Sequence, residues 1–160
     1  MEKTDIKIGI GLSDIRFGMT KNELTSVAGE PEEKDLYQAL DDEDEDDDNY
    51  LSESWHYDED EYSVAFDEED GWRVTTISTS NPNASLFGKK LIGKSLNDVA
   101  DFLANQDLGE GEIEEMDEEN SKLSVLSFLA SSLNLWFTNG RLTEIQWGVL
   151  WKDEDTPDWP

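Results

Sequence analysis

The sequence predicts an α+β fold: two repeated helix–loop–β–β–β units forming one antiparallel sheet of about six strands, with both helices on one face. Three observations predict it. A helix-entry pattern occurs twice, blocks of alternating apolar residues recur behind each copy, and an Asn-Gly pair closes the last hairpin. The first unit covers about residues 12–80 and the second about 86–150, within a single domain of residues 1–160.

The helix entries are Phe17-Gly18-Met19-Thr20-Lys21-Asn22-Glu23-Leu24 and Ile92-Gly93-Lys94-Ser95-Leu96-Asn97-Asp98-Val99. In each, a hydroxyl followed three residues later by an acid is a capping-box pattern. The hydroxyl accepts from an orphan amide of the first turn, and the acid suits the positive helix end. Helices are expected at about 20–28 and 96–106, the first ended by Gly29-Glu30-Pro31, a glycine followed by a breaker. Trp55, Tyr57, Tyr62, Val64 and Phe66 align with Leu126, Phe128, Leu133, Leu135 and Phe137, spaced by two within each strand. Arg73-Val74-Thr75-Thr76-Ile77 aligns with Arg141-Leu142-Thr143-Glu144-Ile145. Strands are therefore expected at about 53–57, 61–66 and 72–79, and again at about 123–129, 133–138 and 141–149. Asn139-Gly140 tolerates the positive φ of a type I′ turn. Ile6, Ile8 and Ile10 suggest an added N-terminal strand.

Composition excludes several function classes. No cysteine is present, so thiolate nucleophiles, disulfides and cysteine-held zinc are excluded. No apolar run reaches the roughly 20 residues needed to span a bilayer, and no basic leader precedes an apolar stretch, so a cytoplasmic location is expected. The net charge of −28, with 40 acidic residues against 12 basic, repels nucleic acid and anionic membranes and attracts basic surfaces. Acid is concentrated between residues 30 and 70, where Lys34 is the sole lysine or arginine. Its centre is an acidic loop at 41–48, Asp41-Asp42-Glu43-Asp44-Glu45-Asp46-Asp47-Asp48. Such a run cannot pack against a core. It reads as an electrostatic lure for a basic partner or, in the plainer reading, as a solubilising loop.

The helix entry from Ile15-Arg16-Phe17-Gly18-Met19-Thr20 to Ala28-Gly29-Glu30-Pro31, repeated before a second set of strands, resembles the tandem-repeat fold of the β-lactamase inhibitor protein. It is similar as well to small bacterial helix-plus-strands domains, including the small outer-membrane assembly lipoprotein. No lipid-modified cysteine stands here, so that relative's membrane role is not implied. In size, acidity and lack of cysteine the chain also resembles cytoplasmic immunity proteins of bacterial toxin systems. These likenesses concern fold and composition and imply no catalytic residue.

The only histidine, His56, is out of phase with Trp55 and Tyr57 and points away from their face. Ser54 and Ser63 lack a nucleophile-elbow context, and Gly9-x-Gly11 lacks the rest of a phosphate loop. The acidic runs lack the mid-loop glycine of a calcium site. No catalytic residue, metal or cofactor is expected. The expected function is binding and neutralising a basic protein, for example a toxin nuclease domain, in the manner of an immunity or inhibitor protein. The expected partner-binding residues are Asp41, Asp42, Glu43, Asp44, Glu45, Asp46, Asp47 and Asp48 of the loop, Asp58, Glu59, Asp60 and Glu61 of the next turn, and the aromatics Trp136 and Trp147. The alternative is an orphan structural or regulatory domain whose acidity serves solubility only. The tail at 151–160, with Trp151 and Trp159, either folds onto the core or stays exposed.

Overall fold

A computed structural model describes residues 4–39, 50–118, 121–153 and 156–160. Three short strands, β1 (Asp5–Lys7), β2 (Gly11–Leu12) and β3 (Ile15–Arg16), lead into helix α1 (Lys21–Ala28). A meander follows of β4 (Glu33–Ala39), β5 (Tyr50–Tyr57), β6 (Tyr62–Asp67) and β7 (Arg73–Thr79). Strands β8 (Ser85–Leu86) and β9 (Lys89–Lys90) precede helix α2 (Leu96–Leu103). The second meander is β10 (Gly111–Glu118), β11 (Ser121–Phe128), β12 (Leu133–Thr138) and β13 (Arg141–Gly148), and β14 (Leu150–Trp151) pairs with β15 (Pro157–Asp158) at the end.

The architecture corrects the α+β expectation. The chain is mostly β: the two meanders join into one eight-stranded sheet in the order β10-β11-β12-β13-β7-β6-β5-β4, and β1, β2, β3, β8 and β9 form a second, smaller sheet. Each helix is followed by four strands, not three. The missed strands, β4 and β10, are the two edges of the large sheet, and their sequences, EKDLYQA and GEIEEMDE, are rich in charge. Charged residues have low strand propensity, yet on an edge they discourage pairing with another chain. Helices alone do not cover the sheet either. Leu12, Ile15, Leu86 and Leu91, from the small sheet and the segments beside it, join Leu24 of α1 and Val99 of α2 in one core with Trp55, Val64, Phe66, Ile77, Leu126, Leu135 and Ile145. The expected N-terminal strand exists but belongs to the small sheet. Ile6 is buried there, while Ile10 is 43% exposed.

Local chemistry explains the helix entries. The Thr20 hydroxyl accepts from the Glu23 amide, and the Glu23 carboxylate accepts from the Thr20 amide, a complete capping box. Ser95 accepts from the Asp98 amide at the start of α2, which ends at Leu103, short of the expected Gln106. The same contacts tie each helix entry to the last strand of its meander. Gly18 N–H donates to the Val74 carbonyl and Gly93 N–H to that of Leu142; Arg73 Nη1 donates to the Gly18 carbonyl at 2.9 Å and Arg141 Nη1 to the Gly93 carbonyl at 3.5 Å. Asn139 and Gly140 both have positive φ, 51° and 82°, as a tight hairpin requires.

Where the halves meet, β7 and β13 run antiparallel with Ser78 opposite Gln146, Ile77 opposite Trp147 and Thr79 opposite Ile145. In the alignment that sets Arg73 over Arg141, Ser78 falls on Gln146, Ile77 on Ile145 and Thr79 on Trp147. The seam is thus centred on an equivalent pair, and the two meanders are related by a local pseudo-twofold through Ser78 and Gln146.

Near the α1 end of the core, the Tyr57 and Tyr62 rings stack with centroids 4.8 Å apart, and the Tyr57 hydroxyl donates to the Gly29 carbonyl at 2.9 Å. Burial, reinforced by Glu30 and Glu32, pushes the Tyr57 phenol from 10.0 up to about 12, and burial raises Tyr62 as well. A phenol with a raised folded-state pKa contributes stability that is fully present below its unfolded value and lost as pH rises through the folded one. The urea midpoint should therefore fall as pH rises from about 10 towards 12, and Tyr57→Phe should flatten that fall. An unchanged slope in a Tyr57→Phe/Tyr62→Phe double variant would assign alkaline unfolding to other groups.

Candidate binding face and its two clefts

The face of the large sheet turned away from the core is built by the period-two alternation of all eight strands. One row of directly opposed residues crosses it from edge to edge: Glu33, His56, Ser63, Ser78, Gln146, Asn134, Ser127 and Glu112. The row has a carboxylate at each end and His56 next to one of them. Uncharged hydrogen-bonding side chains fill the middle, with the pseudo-twofold at its centre. Flanking rows carry Asp35, Ser54, Ala65 and Thr76 on one half and Glu114, Val125, Trp136 and Glu144 on the other.

Five of the cations near the sheet are engaged elsewhere. Lys21 pairs with Glu53 at 2.9 Å and lies over the Trp72 ring at 4.1 Å; Lys34 pairs with Glu30 and lies over Trp55; Lys122 pairs with Glu115. Arg73 and Arg141, at the strand starts, reach the Gly18 and Gly93 carbonyls. What remains is a face of neutral hydrogen-bonding groups rimmed by carboxylates.

Two clefts open beside the seam. One, of about 180 Å³, is lined by Asp58, Glu61, Ser63, Ser78, Ser80 and Glu144. The other, of about 320 Å³, is lined by residues including Asp67, Thr76, Leu129, Ser132, Asn134, Gln146, Gly148 and Trp151. The alignment that sets Trp55 over Leu126 carries Asp58, Glu61 and Ser63 onto Leu129, Ser132 and Asn134. The one that sets Arg73 over Arg141 carries Ser78 and Ser80 onto Gln146 and Gly148, and Thr76 onto Glu144. The clefts are therefore equivalent positions of the two halves with different linings. The first is acidic and serine-rich, and the second combines one carboxylate, two amides and an apolar wall.

The expected binding residues distribute unevenly over this surface. Asp58 and Glu61 line the first cleft; Glu59 and Asp60 lie in the same turn, where the Asp60 carbonyl accepts from the Asn81 amide. Trp136 stands on the outer face, half-buried, with its indole N–H near the Gln146 side-chain oxygen at 3.4 Å. Trp147 departs from the expectation. It alternates with Ile145 and Val149, faces the core, is 0% exposed, and donates from Nε1 to the Gly11 carbonyl at 3.1 Å. The alternation was the signal that could have placed it. Asp41–Asp48 lie outside the described residues. Of the tail aromatics, Trp159 packs against the core beside Gly18, whereas Trp151 is 48% exposed and walls the second cleft.

Register also assembles a group that spacing alone did not suggest. His56 Nδ1 lies 2.8 Å from Ser63 Oγ, and His56 Nε2 lies 2.9 Å from Asp35 Oδ2. A serine–histidine–carboxylate chain is the geometry of an activated nucleophile. Acyl transfer also needs donors aimed at a developing oxyanion. Ser63 lies inside β6, paired on both sides, so the amides around it serve the ladder. The arrangement, as it stands, anchors the β4 edge to β6 across β5. Among the described residues, no group of three or more His, Asp or Glu side chains could hold a metal ion, and no helix is long and apolar enough to cross a membrane.

No family model matches the chain, and no curated protein matches its sequence. Among solved structures, it is similar to an extracellular protein containing a SCP domain from Bacillus anthracis str. Ames, at 14% identity and a TM-score of 0.43. The alignment covers 82% of this chain and 43% of that one, so the chain matches less than half the length of that protein. At that TM-score the likeness carries no argument about fold or function.

Proposed function

We propose that this chain is a cytoplasmic binding and neutralising protein of immunity or inhibitor type, which occludes a basic protein partner with the outer face of its large sheet. The observation that carries the reading is the row from Glu33 to Glu112: acid at both edges, His56 beside one of them, serine and amide side chains across the middle, and no lysine or arginine along it. Such a face offers a basic surface opposite charge at its rim and keeps carboxylates out of the central row itself, where desolvating an unpaired one would cost most. Trp136, Trp151 and Leu129 add apolar anchors beside the polar floor. The net charge of −28 supplies the long-range attraction. The chemistry of the partner follows from the same features: a toxin domain with a cationic surface, such as one that binds nucleic acid.

The test is calorimetric binding to the basic C-terminal domain of a secreted toxin encoded by an adjacent gene, the expected genomic setting. Asn134→Arg, which sets a cation on the central row, should weaken binding at least a hundredfold, since an uncompensated charge is then desolvated. His56→Ala should stay within about threefold of the parent, because it trims one side chain near the end of the row without adding a charge to it, and His56 is proposed to brace an edge and not to catalyse. Parent-like binding by Asn134→Arg would remove the outer face as the docking surface. Loss of protection in folded His56→Ala would turn attention to the Ser63–His56–Asp35 chain as an active site. A charged face that bound no basic protein would leave acidity as a solubility device.

A further inference from the structure

We infer that the larger cleft at the β7–β13 seam is a receptor for one arginine side chain of the partner, with the guanidinium on the Asp67 carboxylate and its plane against the Trp151 indole. The inference rests on the proposed capture of a basic protein and names the chemistry of one contact within it.

Asp67 is held in place before any ligand arrives. One carboxylate oxygen accepts from the Ser52 hydroxyl and the other from the Thr75 hydroxyl at 2.7 Å. The strand register sets Arg73 directly opposite Asp67, but Arg73 Nη1 is spent on the Gly18 carbonyl at 2.9 Å. Asp67 thus has no ion-pair partner among the described residues and is half-buried. Each carboxylate oxygen has a second lone pair, so two acceptor positions remain after the two hydroxyls. Further negative charge stands beside it. Burial, and then the neighbouring charges of Asp67 and Glu69, raise the carboxyl pKa of Asp70.

The rest of the cleft selects among cations. Trp151, 48% exposed, and Leu129, 81% exposed, form an apolar wall, and Asn134 lies on the floor. A guanidinium is planar and weakly hydrated, stacks on aromatic faces and offers paired donors to a carboxylate. An ammonium is a compact, strongly hydrated point charge that gains less from the indole plane. The equivalent cleft of the first half has Asp58 where this one has Leu129, and Glu144 where this one has Thr76. It offers carboxylates without an indole wall. The larger cleft is the one shaped for a flat cation.

The probe is Nα-acetyl-arginine methylamide, whose sole charge is the guanidinium. It is titrated into the full-length, nitrogen-15-labelled chain at matched ionic strength while the tryptophan indole N–H resonances are followed. A saturable shift is expected at Trp151 and not at Trp55, which is buried in the core and does not line the cleft. The citrulline analogue, equal in shape but uncharged, should bind at least tenfold more weakly. Asp67→Asn should weaken the probe at least tenfold; because that change also disturbs Ser52 and Thr75, Trp151→Ala is the second variant, and its exposed position leaves the fold intact. Shifts spread over all acidic surfaces, equal binding of citrulline, or parent-like probe binding by both variants would overturn the inference. If the basic toxin domain binds the parent and Trp151→Ala equally and the probe binds neither, the subsite is lost and capture stands. If the probe seats at Trp151 but no basic protein binds, the subsite is supported and the capture reading fails.

Discussion

Replacing the eight acids Asp41–Asp48 by serine and asparagine should slow association with the proposed basic partner about tenfold or more at low salt, while dissociation should change far less. Long-range charge acts on encounter, and the contacts proposed to set residence time are those of the outer face. Raising the salt should bring the parent towards the variant, because the Debye length shrinks from about 30 Å at 0.01 M to about 8 Å at 0.15 M. Folding should be unharmed, since eight adjacent carboxylates repel one another and their removal relieves self-repulsion. Stopped-flow association of both proteins across a salt series checks this. Equal rates at every ionic strength would reduce the run to a solubilising loop and leave the face between Glu33 and Glu112 to bind without steering.

Trp147→Ala should lower folding stability by about 3–5 kcal/mol, the range for deleting a large buried aromatic side chain. The indole is fully buried among the seam residues, and its N–H satisfies the Gly11 carbonyl of the small sheet, so the change leaves a cavity and an orphaned acceptor together. Urea unfolding is the measurement. Trp151→Ala, at a residue 48% exposed, is the comparison and should stay within about 0.5 kcal/mol of the parent. If the two substitutions cost the same, Trp147 does not clamp the small sheet to the large one. The contrast separates two neighbouring tryptophans that composition treats alike: one holds the fold, and the other faces the proposed ligand.

Much of the local structure was legible in advance because its causes lie within a few residues of one another. Thr20 with Glu23 and Ser95 with Asp98 open the two helices. Alternation through Tyr62, Val64 and Phe66, and through Leu133, Leu135 and Phe137, marks β6 and β12. Strands β4 and β10 were not legible. An edge strand buries little and is kept charged against aggregation, so it lacks the apolar alternation by which the others are recognised. Missing them turned an eight-stranded sheet into one of six and left Glu33 and Glu112, the ends of the proposed binding row, in supposed loops. Trp147 is a different case: its residue type suits an exposed anchor and a core position alike, and only the phase set by Ile145 and Val149 turns it inward.

By itself the sequence determined the charge, the absence of thiol chemistry, and the capping and turn residues that start and stop the local elements. Each of these depends on residue type and short spacing alone. The tertiary structure decided the seam, where Ser78 meets Gln146 across β7 and β13. That pairing joins residues far apart in the chain, and packing of Ile77, Ile145 and Trp147 in the shared core decides it. From the seam follow the outer row, the His56–Ser63–Asp35 contact and the two related clefts. A side chain's neighbours across a sheet are set by register, which a short window of sequence does not contain.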